Sequence, residues 1–460
     1  MLLGVCAMGV GFWACGGSDD SNPGSPGSGG KAGRGGSAGS SAGTGGSGPG
    51  GSGGSSGSGN GGSANGGSAG SSGGSAGSSG GSAGSSSGGS SGTGSDAGGG
   101  AGGAGGASTD GGGSLCPGLG WCEITNTHLR DVCPDADKYP DIQANEGCSG
   151  VINDWSGGMG DTKRNRLLIW GGGHGGYFGN ELYALDLNTL KMLRLNEPSN
   201  VDGYDFKDCY APDQYPDGRP TSRHTYDALS FIEHTDQLWT FTGAKAPCGY
   251  SGRDTWTLDL ASIETAPLGQ AAPWTLKKAA PSGPEGKPGV VSDYDPGYKR
   301  VFLSDLYTLF SYDVGADSYT KLSENATLDY HMTGRVDPKR HLFIVAGGGQ
   351  LKVFDIGDGK NHAEQNWAAS VTGCGPLISE VYPGLAYDPD LDKMVGWAGG
   401  DTVYILDVDK KSCEARTFAG GPGKQNENGT MGRFRYFPAL KVFAVVNFID
   451  KNAYTLRLTP

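Results

Sequence analysis

Between Gly16 and Ser114 the chain contains no valine, isoleucine, leucine, methionine, phenylalanine, tyrosine, tryptophan or cysteine. That absence excludes a packed core, because nothing there can bury enough apolar surface to offset chain entropy. Glycine, serine and alanine fill the stretch, as in GGSAGSSGGSAGSSGG. The expectation over 16–114 is a disordered Gly/Ser/Ala-rich tether, its ends roughly 50–60 Å apart on average. Basic residues are also scarce: 35 Lys and Arg stand against 48 Asp and Glu, a formal charge of −13. This argues against nucleic acid as a partner, and an anionic ligand would need a local basic pocket. No two cysteines have CxxC spacing, so no zinc site is indicated.

Ahead of the tether, LLGVCAMGVGFWAC (Leu2 to Cys15) is apolar but too short to span a membrane. It resembles a bacterial lipoprotein signal over 1–15, which implies Cys15 as the lipidated residue. An ordinary cleaved secretory signal is the alternative. The resemblance places the protein in the bacterial cell envelope as an outer-membrane or surface lipoprotein, with the lipid as its only membrane contact.

The segment 115–460 holds nearly all the aromatics and eight of the ten cysteines. It is long enough for a substantial core. An even number of cysteines in an exported chain reads as up to four disulfides. A short alternating strand recurs six times: YALDL from Tyr183, WTLDL from Trp256, FSYDV from Phe310, KVFDI from Lys352, YILDV from Tyr404 and YTLRL from Tyr454. Each carries an Asp, or Arg457 in the last, placed to open a turn. Two shorter strands precede each copy, joined by turns such as KRNR, HTDQ, PKR and DLDK, and another apolar stretch follows. Four antiparallel strands per unit make one blade of a propeller.

These units resemble the kelch-type β-propeller, the fold of the galactose oxidase central domain. They share a basic turn, an apolar strand ending in Gly-Gly (Gly171-Gly172, Gly347-Gly348, Gly399-Gly400) and an aromatic strand ending in Asp. The expectation is an all-β, six-bladed propeller. GWCEITNTHLRDV (120–132) would supply the outer strand that YTLRL lacks and close the ring; a seventh blade would have to hide in the 73-residue interval between the first two copies.

Propeller topology brings two kinds of loop to one face, here called the top: second-to-third-strand loops and outer-to-inner connections. On it the sequence places Asp154, Trp155, His174, Tyr177, Asn180 and Glu181 from the first blade. The second supplies Arg223, His224, Tyr226, Lys245, Cys248, Tyr250 and Arg253, and later blades Tyr330, His331, Arg433, Arg435 and Tyr436. The insertion from Glu197 to Ser222 lies on the same face, so a Cys209–Cys248 disulfide would strap it over the second blade. Its four aspartates, Asp202, Asp205, Asp208 and Asp213, lack an EF-hand spacing, so calcium is not supported.

Three functions fit this set. One is a binding module, in which tyrosine faces stack on sugar rings while Arg and His bind hydroxyls or uronate carboxylates; Tyr177, Asn180, Tyr330, His331, Arg433, Arg435 and Tyr436 are its ligand-binding candidates. The second is a polysaccharide lyase acting on uronate polymers. There Arg223 or Arg433 would neutralise the carboxylate, His224 or His174 act as base and Tyr226 or Tyr177 as acid. The third is a copper oxidoreductase similar to galactose oxidase, with the Tyr330-His331 pair as ligands and His174 and His224 as further recruits; allotting every cysteine to disulfides leaves no thiol for its cross-link. A glycosidase would need paired carboxylates, for which only Glu181 and Asp154 offer themselves. No cofactor is assigned. The expected partner is an extracellular polysaccharide bound by a monomer.

Overall fold

The computed structural model describes residues 115, 117–210, 212–265, 272–278 and 283–460. The export segment with Cys15 and the tether lie outside them. Six four-stranded antiparallel sheets stand in a ring. From inner to outer strand, the first blade is Gly158–Asp161, Arg166–Ile169, Tyr183–Asp186 and Lys191–Arg194. The inner strands of the next five are Leu229–Ile232, Val291–Asp295, Thr333–Asp337, Gly384–Asp388 and Phe434–Phe437. There is no seventh blade among the described residues. The long interval after the first blade instead holds the insertion and a two-stranded ribbon, Arg223–His224 paired with Ala244–Lys245.

The sixth blade takes its outer strand from the start of the domain: Gly120 pairs with Arg457 and Ile124 with Ala453. The strand is shorter than the 120–132 expected. Asn126 turns left-handed at φ 61°. The Thr127 hydroxyl then donates to the Ile124 carbonyl at 2.5 Å and accepts the Ala453 N–H at 2.8 Å, sealing the end of the ladder. The chain continues into a 3-10 turn, Leu129–Val132.

The repeated aspartates act as read. Asp186, Asp259, Asp313, Asp355 and Asp407 each end a third strand, and each accepts backbone N–H groups two or three residues on. The turns between first and second strands also repeat. The residue before each second strand is left-handed in all six blades: Asn165, Asp236, Lys299, His341, Asp392 and Lys441, with φ between 50° and 56°. That geometry matches the hairpin to the right-handed twist of its strands. The basic residues of these turns bind neighbouring blades, as in Arg164 to Asp236 (2.6 Å) and Arg340 to Asp392 (2.8 Å). Apolar side chains fill the space between blades; Trp170 and Trp274 meet there at 4.9 Å between centroids.

Disulfides join Cys133 to Cys148, Cys209 to Cys248 and Cys374 to Cys413. Cys122 is disulfide-bonded as well, and Cys116 lies outside the described residues. Such a set suits an oxidising, extracellular environment. Among the described residues no helix is long and apolar enough to cross a membrane.

Candidate functional site

The top mouth of the channel is closed by side chains from the approaches to the inner strands. Trp155, Tyr226, Tyr382 and Met431 occupy related positions in four blades, two or three residues before the strand begins. All four are left-handed, with φ between 45° and 50°. For bulky residues this costs on the order of 1 kcal/mol each and persists only where packing enforces it. Here the enforcement is mutual, since the four side chains, with Ala244 and Val381, form one apolar cluster. Backbone bonds link neighbouring approaches: Tyr226 N–H to Trp155 O (2.7 Å), Tyr382 N–H to His331 O (2.8 Å) and Met431 N–H to Tyr382 O (3.1 Å).

A continuous arc of rings lies on this plug. Centroid distances are 5.2 Å for His174–His224, 5.2 Å for Trp155–His224, 6.0 Å for His224–Tyr226, 6.5 Å for Tyr226–Tyr382, 5.6 Å for Tyr382–His331 and 3.9 Å for His331–Tyr330. Burial disfavours charge on the His174, His224 and Tyr226 part of the arc. Burial, with His174 nearby, drives His224 down to about 3. Burial also lowers His174 and raises Tyr226. His331 is different, being half-buried with Nδ1 2.6 Å from Asp329 Oδ1. A carboxylate there fixes the tautomer with the proton on Nδ1 and leaves Nε2 as the acceptor nitrogen.

The strap over the second blade has formed through Cys209–Cys248. Gly249, beside Cys248, packs so closely on His174 that a Cβ there would lie 2.0 Å from the imidazole Cδ2. The strap also brings Tyr210 to Tyr250, with ring centroids 5.8 Å apart. Four tyrosines are strongly exposed, Tyr210, Tyr250, Tyr307 and Tyr330, and every one is on a top-face loop.

Several expected site residues lie elsewhere. Arg223 is fully buried; its guanidinium binds Asp254 at 2.7 Å and lies over Trp170. Arg433 is fully buried and donates to the carbonyls of Ser156, Val446, Asn447 and Gly429, clasping the first blade to the sixth. With no acid partner, desolvation lowers it to about 9. Neither guanidinium reaches the mouth. Tyr177 is buried too, its hydroxyl donating to Glu181 at 2.6 Å, and Tyr183 donates to the same oxygen at 2.5 Å. Asn180 braces the insertion through Ser199 and Pro220. Arg435 and Tyr436 point away from the top, because each residue of an extended strand advances about 3.3 Å and they follow Arg433 into the channel. They line a cleft at the opposite mouth. Glu181 and Asp154 are each buried, which removes the carboxylate pair a glycosidase would use.

Trp155 was legible as a loop residue. Tyr382, Met431, Tyr210 and Tyr307 were not, and the only signal for the first two is their spacing before an inner strand. Among the described residues no group of three or more His, Cys, Asp or Glu is arranged to hold a metal.

Fold and mouth together define a six-bladed β-propeller with an aromatic plug and a disulfide-strapped upper face. No family model and no curated protein matches the chain. Among solved structures it is similar to a structural genomics protein of unknown function from Bacteroides thetaiotaomicron, with 11% identity and a TM-score of 0.45, over 74% of this chain and 76% of that one.

Proposed function

We propose that this chain is an exported, kelch-like propeller that binds a carbohydrate across its upper mouth. In this reading the segment 1–15 exports it, Cys15 carries the lipid and the tether gives it reach from the cell envelope. The observation that carries the reading is the convergence of all four strongly exposed tyrosines on one face, around a mouth floored by neutral aromatic rings. Tyrosine supplies large, rigid contact area with a polar tip, suited to sugar rings that show both C–H faces and hydroxyls. With Arg223 and Arg433 committed elsewhere, and an acidic chain around it, the mouth favours a neutral glycan over a polyuronate. The test is binding of the full chain to a panel of immobilised polysaccharides, alongside Tyr250→Ala and Tyr330→Ala. Binding weakened by each substitution supports the reading; no glycan bound, or binding indifferent to both, sinks it.

One observation favours a second reading, β-elimination on a glycan. The Asp329–His331 pair has the arrangement of a general base and its ring is partly exposed. The base expected from sequence, His224, is less suited because its ring is almost wholly enclosed. Unsaturated products, followed by ultraviolet absorbance on uronate polymers and abolished by His331→Ala, would establish it; their absence on every polymer would remove it.

A further inference from the structure

The channel's other mouth has a chemistry of its own. Below the plug, a cavity of about 360 Å³ opens among the turns that follow the inner strands. Its inner end is charged. Arg335 is fully buried and makes a two-pronged bond to Asp227 at 2.7 and 2.9 Å, while its Nε has no partner among the described residues. Arg435 converges on the same place, but its bonds are long: 3.2 Å to Gly432 O, 3.3 Å to Asp293, 3.4 Å to Gly158 O and 3.5 Å to Leu229 O. Charge-assisted bonds normally lie at 2.7–2.9 Å. Desolvation, with Arg335 close by, holds Arg435 down at about 10.

The outer end is apolar. Phe231 and the rings of Tyr294, Tyr387 and Tyr436 line it, with prolines on four of the turns. The three phenol hydroxyls are bonded elsewhere: Tyr294 to His234 (2.7 Å), Tyr387 to Asp392 (2.8 Å) and Tyr436 to Asp390 (2.6 Å). These side chains therefore have ring carbon rather than a free hydroxyl to offer the cavity. The acids in or beside it are Asp227, Asp293, Glu233, Asp390 and Asp392; Asp227 and Asp293 already bind the guanidiniums, and Asp392 binds Arg340.

We propose that this lower mouth is a second ligand site, taking a monoanionic carboxylate carried on a flat, apolar body. The carboxylate lies against the Arg435 guanidinium, with the buried Arg335–Asp227 pair behind it, and the body lies between the tyrosine rings and the prolines. A dianion is disfavoured by the neighbouring acids. The site is separated from the upper mouth by the plug and does not depend on what binds there.

The experiment titrates the full chain with benzoate, methyl benzoate and inorganic phosphate by calorimetry. Benzoate is expected to bind saturably at one site per chain, the uncharged ester about tenfold or more weakly, and phosphate not at all. Arg435→Gln is expected to weaken benzoate by a similar factor. Because the ester comparison uses the unaltered protein, a variant that fails to fold does not obstruct the test. The proposal is overturned if benzoate does not bind at tens of millimolar, if the ester binds equally well, if phosphate binds more tightly, or if folded Arg435→Gln binds unchanged.

Discussion

Tyr226 and Tyr382, one in the second blade and one in the fifth, meet across the channel with ring centroids 6.5 Å apart. Each stands on a left-handed residue, at φ 47° and 45°. An inner-strand approach in ordinary extended conformation would not turn these side chains over the axis, so the strain and the plug are one feature.

The plug predicts a contrast at Tyr382, whose ring is buried while its hydroxyl has no partner among the described residues. Tyr382→Phe is expected to be neutral or stabilising by about 1 kcal/mol, since it removes an unpaired polar group. Tyr382→Ala is expected to cost about 3 kcal/mol or more through the cavity it leaves. Urea unfolding of both variants checks this; equal damage from both would show that the hydroxyl is bonded.

The strap predicts a local effect larger than its global one. Cys209 and Cys248 are 39 residues apart, and closing a loop of that length restricts the unfolded chain by up to about 4 kcal/mol. Replacing both with serine is expected to lower the melting temperature and to expose the insertion between Glu197 and Ser222 to limited proteolysis first. Cleavage spread evenly over the other loops would contradict the role assigned to the strap.

Two buried groups predict opposing pH slopes. Burial beside Glu146 raises the Asp154 carboxyl from 3.8 to about 8. The folded state therefore binds more protons than the unfolded one across that window, so this contribution is greatest at low pH and falls as pH rises toward 8. His224 has the opposite sign. Lowered from 6.5 to about 3, it is charged in the unfolded chain first, so stability from this group is complete above 6.5 and is lost as pH falls toward 3. Asp154→Asn is expected to remove the loss of stability that runs from about pH 4 up to 8, and His224→Gln the loss that runs from about pH 6.5 down to 3, read from melting temperature against pH. Unchanged profiles would mean that neither group is desolvated as described.

The Asp227–Arg335 pair is fully buried on both sides. Asp227→Ala is expected to cost about 3–5 kcal/mol because it strands a guanidinium. Adding Arg335→Met should recover part of that loss, since two neutral residues leave no buried charge. Chemical unfolding of single and double variants decides it: additive losses would show that the charges act independently.

Most of the fold was legible because its causes are local and repeated. Strand alternation and the turns before each second strand recur six times, and the aspartates that accept their own turn's N–H groups five times, so each copy supports the others. The closing strand was legible for the same reason, through a missing outer strand at the end and a spare one at the start. Its length was not, because the Thr127 hydroxyl ends the ladder by bonding Ala453, more than three hundred residues away. The site was legible only as a face. Arg223 and Arg433 have the residue types of ligand-binding cations, and nothing in the local sequence says that Asp254 or a ring of carbonyls will claim them.

By itself the sequence determined an all-β propeller of six blades with its loops sorted to two faces, because periodicity and turn chemistry act over a few residues. The tertiary structure decided which polar side chains remain available. Burial converts a charged group into a structural bond or a shifted pKa according to neighbours brought in from other blades. Those neighbours left His331 and the four exposed tyrosines at one mouth, and Arg435 with its long bonds at the other.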